Sequence, residues 1–316
     1  MLASRPLALV VTPHKLGAAA AAASVCDVIA WCDIDDQRTF LAGRAADVQA
    51  VVTVSTLPFP GRLDDYRSLG LLAFYGAGWS TPEAHACLRK GVAVSHGPGT
   101  NSLDVADLAI GLMIAAVRRI AVGDRLVRGG SWTDMLPVAI TPSLRDLRYG
   151  IVGLGAIGAA IADRLAVFGN RIMWWGPNPK PDARFPRAPS LIDLAHTSDV
   201  LIIAARGDEK ARHIVNAEIL QALGPEGHIV NVSRGHVIDE DALIHALSDR
   251  RLAGAGLDVF ALEPTDPSRW AGLGNVVLTP HIGGWARASE ADAQRLLAEN
   301  LRRHFAGQPL LTPVQA

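Results

Sequence analysis

The sequence predicts an α/β protein built on two parallel sheets, and three observations carry that prediction. Short apolar runs recur along the chain, each followed by a polar or glycine-bearing turn and often by a helical pattern. One of these runs, Tyr149 to Val152, passes directly into Gly153-Leu154-Gly155-Ala156-Ile157-Gly158. The 316 residues, 49% of them hydrophobic, are enough for about two domains with full-size cores.

Leu7 to Val11 reads as the first strand, and Gly17 to Ala23 opens a helix that ends near Cys26. Val28 to Trp31, Val51 to Val54, Leu71 to Tyr75 and Val92 to Ser95 are the further strands of a first domain that closes near Gly97-Pro98-Gly99. Asn101 or Ser102 caps the next helix, which runs through Leu108, Leu112, Met113, Val117 and Ile120. It is apolar nearly all round, which predicts burial on several sides and suggests a subunit interface, or else a core helix of one large domain. Arg128 to Leu147, with Trp132, Pro137 and Pro142, reads as a long irregular stretch of the kind that is functional or wraps a partner. Strands follow at Tyr149 to Val152, Arg171 to Trp175, Asp199 to Ala204, Ile229 to Val232, Ala253 to Val259 and Val276 to Leu278. Pro177, Pro179, Pro181, Pro186 and Pro189 mark a loop. Asp239 caps a helix through Leu247, and the last helix covers Ala288 to Phe305.

Gly153, Gly155 and Gly158 fit G-x-G-x-x-G. The first glycine allows the tight turn, the second lets backbone approach a pyrophosphate, and the third lets the helix pack on the strand. The free N–H groups of that helix, which should open at Ala159 and carry Ile161, Leu165, Val167 and Phe168, would receive the diphosphate. A glycine turn alone is weak; the strand before it and the amphipathic helix after it make it a Rossmann-type dinucleotide site. Net charge is -1, so nothing electrostatic favours nucleic acid or an anionic membrane. Cys26, Cys32 and Cys87 have no metal or redox spacing, and no metal is expected. Their odd count fits a reducing cytoplasm. The Leu7 to Val11 run is too short for a signal peptide, and no stretch approaches a membrane span.

Ligands of open α/β sheets bind beyond the carboxyl ends of strands. Ser233-Arg234-Gly235, Glu263-Pro264 and His281-Ile282-Gly283-Gly284 follow three successive strands of the cofactor sheet. Singly, Arg234 could be a surface ion pair, Glu263 a solvated loop charge and His281 a cap; together they point to chemistry. Hydride transfer from a dinucleotide to a carbonyl needs a proton donor for the carbonyl oxygen, and an anionic substrate needs a cationic clamp. Arg234 offers a bidentate cationic fork. His281 is the acid/base, since histidine titrates near neutral pH. Glu263 would hold the other ring nitrogen and favour the imidazolium.

The chain resembles the D-isomer-specific 2-hydroxyacid dehydrogenases over nearly its whole length. The resemblance is carried by Gly76-Ala77-Gly78, Pro98-Gly99-Thr100-Asn101 with Val105-Ala106-Asp107, Gly130-Ser131-Trp132, the glycine turn, Asn231-Val232-Ser233-Arg234-Gly235, Leu257-Asp258-Val259-Phe260 with Glu263-Pro264, and Thr279-Pro280-His281-Ile282-Gly283. Thr141 to Arg145 and Pro309 to Pro313 look most like the glyoxylate/hydroxypyruvate and hydroxyphenylpyruvate reductase branch. The resemblance implies a cofactor domain, 99–282, inserted into a smaller flavodoxin-like α/β substrate domain of 1–98 and 283–316, with substrate in the crevice between them. It implies that Gly76, Ala77 and Gly78 bind substrate, the amides of Ala77 and Gly78 holding its carboxylate. It puts Asp258 at the nicotinamide carboxamide and Val232 among the cofactor contacts. It also implies a homodimer.

An NAD-specific chain places an acid at the end of the second strand, about 20 residues past the first glycine. Here that place reads Trp175-Gly176-Pro177-Asn178-Pro179-Lys180, without an acid, so NADP is favoured over NAD. Pro177 stands where the resembled branch has arginine. Gly176, Pro177 and Asn178 would still line the ribose, with charge from Lys180 or from Arg206 in the loop after the third strand. Trp79 and Ala211 are further departures from the family pattern. Leu57-Pro58-Phe59, Trp79, Met135, Leu136 and Trp285 could line an apolar pocket for a bulky keto acid, and glyoxylate or hydroxypyruvate remain equal candidates. Two rival functions keep the glycine turn: a dinucleotide-sensing, corepressor-like interaction protein, and oxidation of another small anion such as formate or phosphite. The intact Arg234, Glu263 and His281 favour the reductase.

Overall fold

The computed structural model describes residues 5–12, 17–133, 140–169 and 171–315. The chain divides into two compact units, Met1–Asn101 with Trp285–Ala316, and Ser102–Gly284. The first unit holds strands β1 (Leu7–Val10), β2 (Asp27–Ala30), β3 (Ala50–Thr53), β4 (Leu71–Phe74) and β5 (Ala93–Ser95). They pair in parallel in the order β2-β1-β3-β4-β5, the flavodoxin-like order. Strand alternation builds a core on each face. Ala8, Val10, Ala50, Val52, Leu71 and Ala73 face helix α1 (Ala18–Ala23) and the C-terminal helix Arg287–Phe305. Leu9, Val51, Leu72 and Phe74 face the other way, with Phe40 of α2 (Gln37–Ala42) and Ala84 and Cys87 of α3 (Pro82–Arg89). Asp36 caps α2, and Thr81 caps α3 with Pro82 in its first turn. The C-terminal segment extends beside β5, where Val314 N–H donates to Val94 O at 2.8 Å.

The second unit opens with α4 (Ser102–Val117) and α5 (Ile120–Arg128). The single helix expected through Ile120 is therefore two. Arg119 takes a left-handed conformation, φ 52°, and breaks the run; no glycine or proline signals that stop. Strands β6 (Tyr149–Val152), β7 (Ile172–Trp175), β8 (Val200–Ile203), β9 (His228–Asn231), β10 (Gly254–Leu257) and β11 (Val276–Leu278) form a parallel sheet ordered β11-β10-β9-β8-β6-β7. The order reverses at β6, between β7 and β8, which is the switch point where such sheets take ligands. Helix α4 packs with α6 (Ala156–Leu165) against one face, on Tyr149, Ile151, Val200, Ile202 and Val230. Leu201, Ile203, Ile229, Ala255 and Leu257 face the other cluster. There α7 (Leu191–His196), α8 (Ala217–Leu223) and α9 (Glu240–Ser248) pack, capped by Ser190, Asn216 and Asp239. The C-terminal helix becomes α10 (Arg287–Phe305).

Two local expectations change. The helix after the glycine turn opens at Ala156, not Ala159, because the turn ends at Gly155 and leaves Ala156, Ile157 and Gly158 as the first helical turn. The proline-marked loop returns to the sheet, with Arg187 bridging Trp174 in parallel and Ala188 N–H donating to Trp174 O at 2.8 Å. Met135 and Leu136 lie outside the described residues. Among the described residues, no helix is long and apolar enough to cross a membrane and no His/Cys/Asp/Glu cluster could hold a metal.

Candidate active site

The glycine turn follows β6 at the switch point. Gly153 has φ 93°, and a side chain there would meet the Ala205 backbone at 2.6 Å. A Cβ on Gly158 would lie 2.0 Å from the Gly153 carbonyl oxygen, so helix and turn touch only because that atom is absent. At Gly155 a Cβ would meet nothing within 4 Å. Backbone with open space before it, at the N-terminus of a ten-residue helix, is the cradle a diphosphate fits. Ala156 and Ile157 contribute the first helical N–H groups.

At the end of β7, Gly176 O accepts from Arg187 Nε at 3.2 Å and Nη2 at 2.7 Å, and the Arg187 guanidinium lies 5.8 Å from the Trp174 ring centre. Arg187 was not legible as part of this turn, because only the bridge to Trp174 brings it there. Pro177 and Asn178 are exposed beside it. Lys180 Nζ donates to Leu154 O, inside the glycine turn, at 2.5 Å. Leu154, Lys180, Arg184 and Phe185 line a groove of about 600 Å³ there. Arg206 is exposed, one residue beyond the Ala205 backbone that touches Gly153.

Beyond β9, Asn231 folds its own strand end. Its Oδ1 accepts from Ser233 N–H at 3.0 Å and its Nδ2 donates to Arg234 O at 3.1 Å, while Ser233 Oγ donates to Ala205 O at 2.6 Å. Val232 is buried beneath this turn. Arg234 Nη1 donates to Ser233 O at 2.7 Å. Burial pulls the guanidinium below its usual range, and the nearby Glu263 charge pulls the other way.

His281 and Glu263 form a pair, His281 Nδ1 to Glu263 Oε2 at 2.6 Å, with side chains 30% and 29% exposed. A carboxylate only accepts, so Nδ1 carries the hydrogen and Nε2 is left for chemistry. Glu263 Oε1 also accepts from Phe260 N–H at 3.0 Å. Burial pushes the Glu263 carboxyl up, but the His281 and Phe260 hydrogen bonds and the charges of His281 and Arg234 outweigh it and hold it below its ordinary value. His281 itself sits at φ 53°, a left-handed turn, with its N–H donating to Asp258 O at 2.8 Å and Thr279 O at 3.0 Å. Asp258, 2% exposed, braces that turn: Oδ1 accepts from Thr279 Oγ1 at 2.6 Å and Ile282 N–H at 2.9 Å, and Oδ2 from Gly283 N–H at 2.9 Å. Asp258 is thus first of all the support of the His281 turn, a role its sequence position did not reveal.

In the other unit, Gly76, with φ 126°, Ala77 and Gly78 follow β4 and are partly buried. Trp79 sets its ring edge against His85 and His96. Phe59 packs against Tyr66, ring centres 5.3 Å apart, and Trp285 is exposed.

A switch-point glycine cradle with an arginine and a carboxylate-held histidine at neighbouring strand ends defines a dinucleotide-dependent oxidoreductase. Residues 110–283 match the family model described as D-isomer specific 2-hydroxyacid dehydrogenase, NAD binding domain. The chain is 40% identical over 279 residues to a hydroxyphenylpyruvate reductase of Plectranthus scutellarioides, covering 88% of this chain and 89% of that one. It is equally similar to a glyoxylate/hydroxypyruvate reductase A of Arabidopsis thaliana, 40% over 280 residues, with the same shares covered. The crystal structure of an NADPH-dependent glyoxylate/hydroxypyruvate reductase from Sinorhizobium meliloti, in complex with NADP and malonate, superposes with a TM-score of 0.89 at 32% identity, covering 98% of this chain and 97% of that one. The chain belongs to the D-isomer-specific 2-hydroxyacid dehydrogenase family.

Proposed function

We propose that this protein reduces a 2-keto acid of the glyoxylate, hydroxypyruvate or hydroxyphenylpyruvate type to the D-2-hydroxy acid, with NADPH preferred. The observation that carries the reading is the His281–Glu263 pair at 2.6 Å, beside the Arg234 strand end. The cofactor supplies the hydride when bound, and Gly153, Gly155, Ala156, Ile157 and Gly158 would hold its diphosphate. His281, protonated at Nε2, gives that proton to the carbonyl oxygen as it gains charge, while the Glu263 carboxylate stabilises the imidazolium. Arg234 is the cationic fork for the substrate oxygens, and the Ala77 and Gly78 amides take the substrate carboxylate. NADPH is supported by the lack of an acid after β7, the placement of Lys180 at the glycine turn, and the NADP complex of the Sinorhizobium relative.

The working form we propose is a cytoplasmic homodimer. Ile120 and Val127 of α5, together with Trp132 and Ile140, are exposed apolar side chains, which favours cover by a second copy. No disulfide joins the three cysteines, which suits a reducing compartment.

A reduced-cofactor absorbance assay with NADPH and NADH against glyoxylate, hydroxypyruvate, pyruvate and 4-hydroxyphenylpyruvate tests the reading. His281→Gln and Arg234→Ala are expected to lose turnover by at least about a hundredfold while still binding cofactor. Full activity in either variant refutes the assigned roles. Tight cofactor binding by the wild type without turnover of any keto acid refutes the reductase.

A further inference from the structure

The loop Gly76-Ala77-Gly78 is held by its carbonyls from the segment after β5. Gly97 N–H donates to Gly76 O at 2.6 Å, and His96 Nδ1 lies 3.0 Å from Ala77 O. A carbonyl only accepts, so Nδ1 carries the hydrogen. In a trans peptide the C=O and N–H bonds point in opposite directions. Capture of Gly76 O therefore turns the Ala77 N–H away from residues 96 and 97, and capture of Ala77 O turns the Gly78 N–H away from His96. Among the described residues neither N–H has an acceptor. The approach is close: a Cβ on Gly97 would lie 3.2 Å from Gly76 O and 3.3 Å from its Cα, so the loop would have to give by a few tenths of an ångström to admit one.

His96 is fixed in turn. Thr312 Oγ1 donates to His96 O at 2.6 Å, and His96 N–H donates to Thr312 O at 3.3 Å. Thr312 is gripped by Asn300, which is 2% exposed on α10. Asn300 Nδ2 donates to Thr312 Oγ1 at 2.9 Å, and its Oδ1 accepts from Leu311 and Thr312 N–H at 2.9 and 3.2 Å. The Trp79 ring stands edge-on to the imidazole, 6.3 Å between centres. A continuous relay, Asn300 to Thr312 to His96 to Ala77, thus ends on the peptide that carries the Gly78 amide.

We propose that His96 is a positioning residue for substrate: through the Ala77 carbonyl it aims the Gly78 amide, and with Gly97 it makes two backbone N–H groups a clamp for the carboxylate of the keto acid. The proposal rests on the reading of Ala77 and Gly78 as carboxylate donors. Neutral imidazole with its proton on Nδ1 and imidazolium both donate to Ala77 O, so the clamp does not depend on proton transfer by His96.

The test compares wild type with His96→Ala, His96→Asn and Thr312→Val in the full-length protein. It reads KM and kcat for glyoxylate, inhibition by oxamate, and cofactor affinity by fluorescence. His96→Ala is expected to raise KM and the oxamate inhibition constant about tenfold, with kcat changed less than about threefold and cofactor affinity unchanged, as loss of one positioning hydrogen bond predicts. His96→Asn, whose Nδ2 can donate to the same carbonyl, should recover most of that loss and keep the wild-type pH profile. Thr312→Val should raise KM about threefold. Should His96→Ala fail to fold, the asparagine and Thr312→Val variants decide. Wild-type KM in Thr312→Val and His96→Ala, or no recovery in His96→Asn, overturns the proposal; so does a pH profile that loses a limb in His96→Asn, which would make His96 a proton-transfer group. Wild type without turnover or oxamate binding would instead overturn the reading of the site, and the two failures are therefore distinguishable.

Discussion

Asp258→Asn removes one charge and almost no volume, yet the bonds around it leave the amide no satisfactory orientation. The carboxylate accepts from Thr279 Oγ1 and Ile282 N–H on one oxygen and from Gly283 N–H on the other. If the new NH2 replaces Oδ2, it faces the Gly283 N–H, donor against donor. If it replaces Oδ1, the Thr279 hydroxyl can turn to accept, but the Ile282 N–H is then opposed. Either way one hydrogen bond to a charged acceptor is lost and its N–H is left unpaired. The expected destabilisation is therefore about 1.5–3 kcal/mol, reached without any cavity. Thr279, Ile282 and Gly283 flank His281, whose own N–H donates to Asp258 O, so the turn that aims the imidazole loosens with it. We expect kcat to fall about ten- to a hundredfold, with cofactor affinity changed far less. Urea unfolding followed by tryptophan fluorescence, with initial rates on the same preparation, measures both. A variant within about 0.5 kcal/mol of wild type and with unchanged kcat would show that Asp258 does not support the His281 turn.

Two further perturbations report on other parts of the molecule. His228, 5% exposed on β9, is pushed down from 6.5 to about 4, chiefly by burial, and its Nδ1 has no partner among the described residues. The unfolded chain therefore takes up the proton first, and stability present above pH 6.5 drains away as pH falls toward 4. That shift is worth about 3 kcal/mol. His228→Leu should flatten the stability–pH curve by about that much in denaturant titrations across the window; an unchanged curve would sink the assignment. Arg206→Ala should raise KM for NADPH about five- to tenfold and leave KM for NADH near wild type if Arg206 supplies the cation missing at Pro177. An unchanged NADPH-to-NADH ratio rejects that role.

Much of this protein was readable from its linear order. The alternation of apolar runs and turns dictated parallel α/β sheets, because residues two apart share a face and each run is long enough for only one buried strand. The glycine spacing marked the cofactor turn because only a missing side chain lets Gly158 touch Gly153. Arg234, Glu263 and His281 drew attention in the sequence because each comes within a few residues of the end of a strand of one parallel sheet, and such ends lie along one edge. Tertiary structure alone decided what depends on contacts remote in sequence. The break at Arg119 is a backbone conformation that no residue type announces. Arg187 reaches Gly176 only through its bridge to Trp174, and Asp258 serves His281 only because β10 and β11 pair in parallel with Leu257 opposite Leu278. The chain from Asn300 through Thr312 and His96 to Ala77 joins four distant stretches, and hydrogen bonds of that kind leave no periodicity in the sequence for a reader to find.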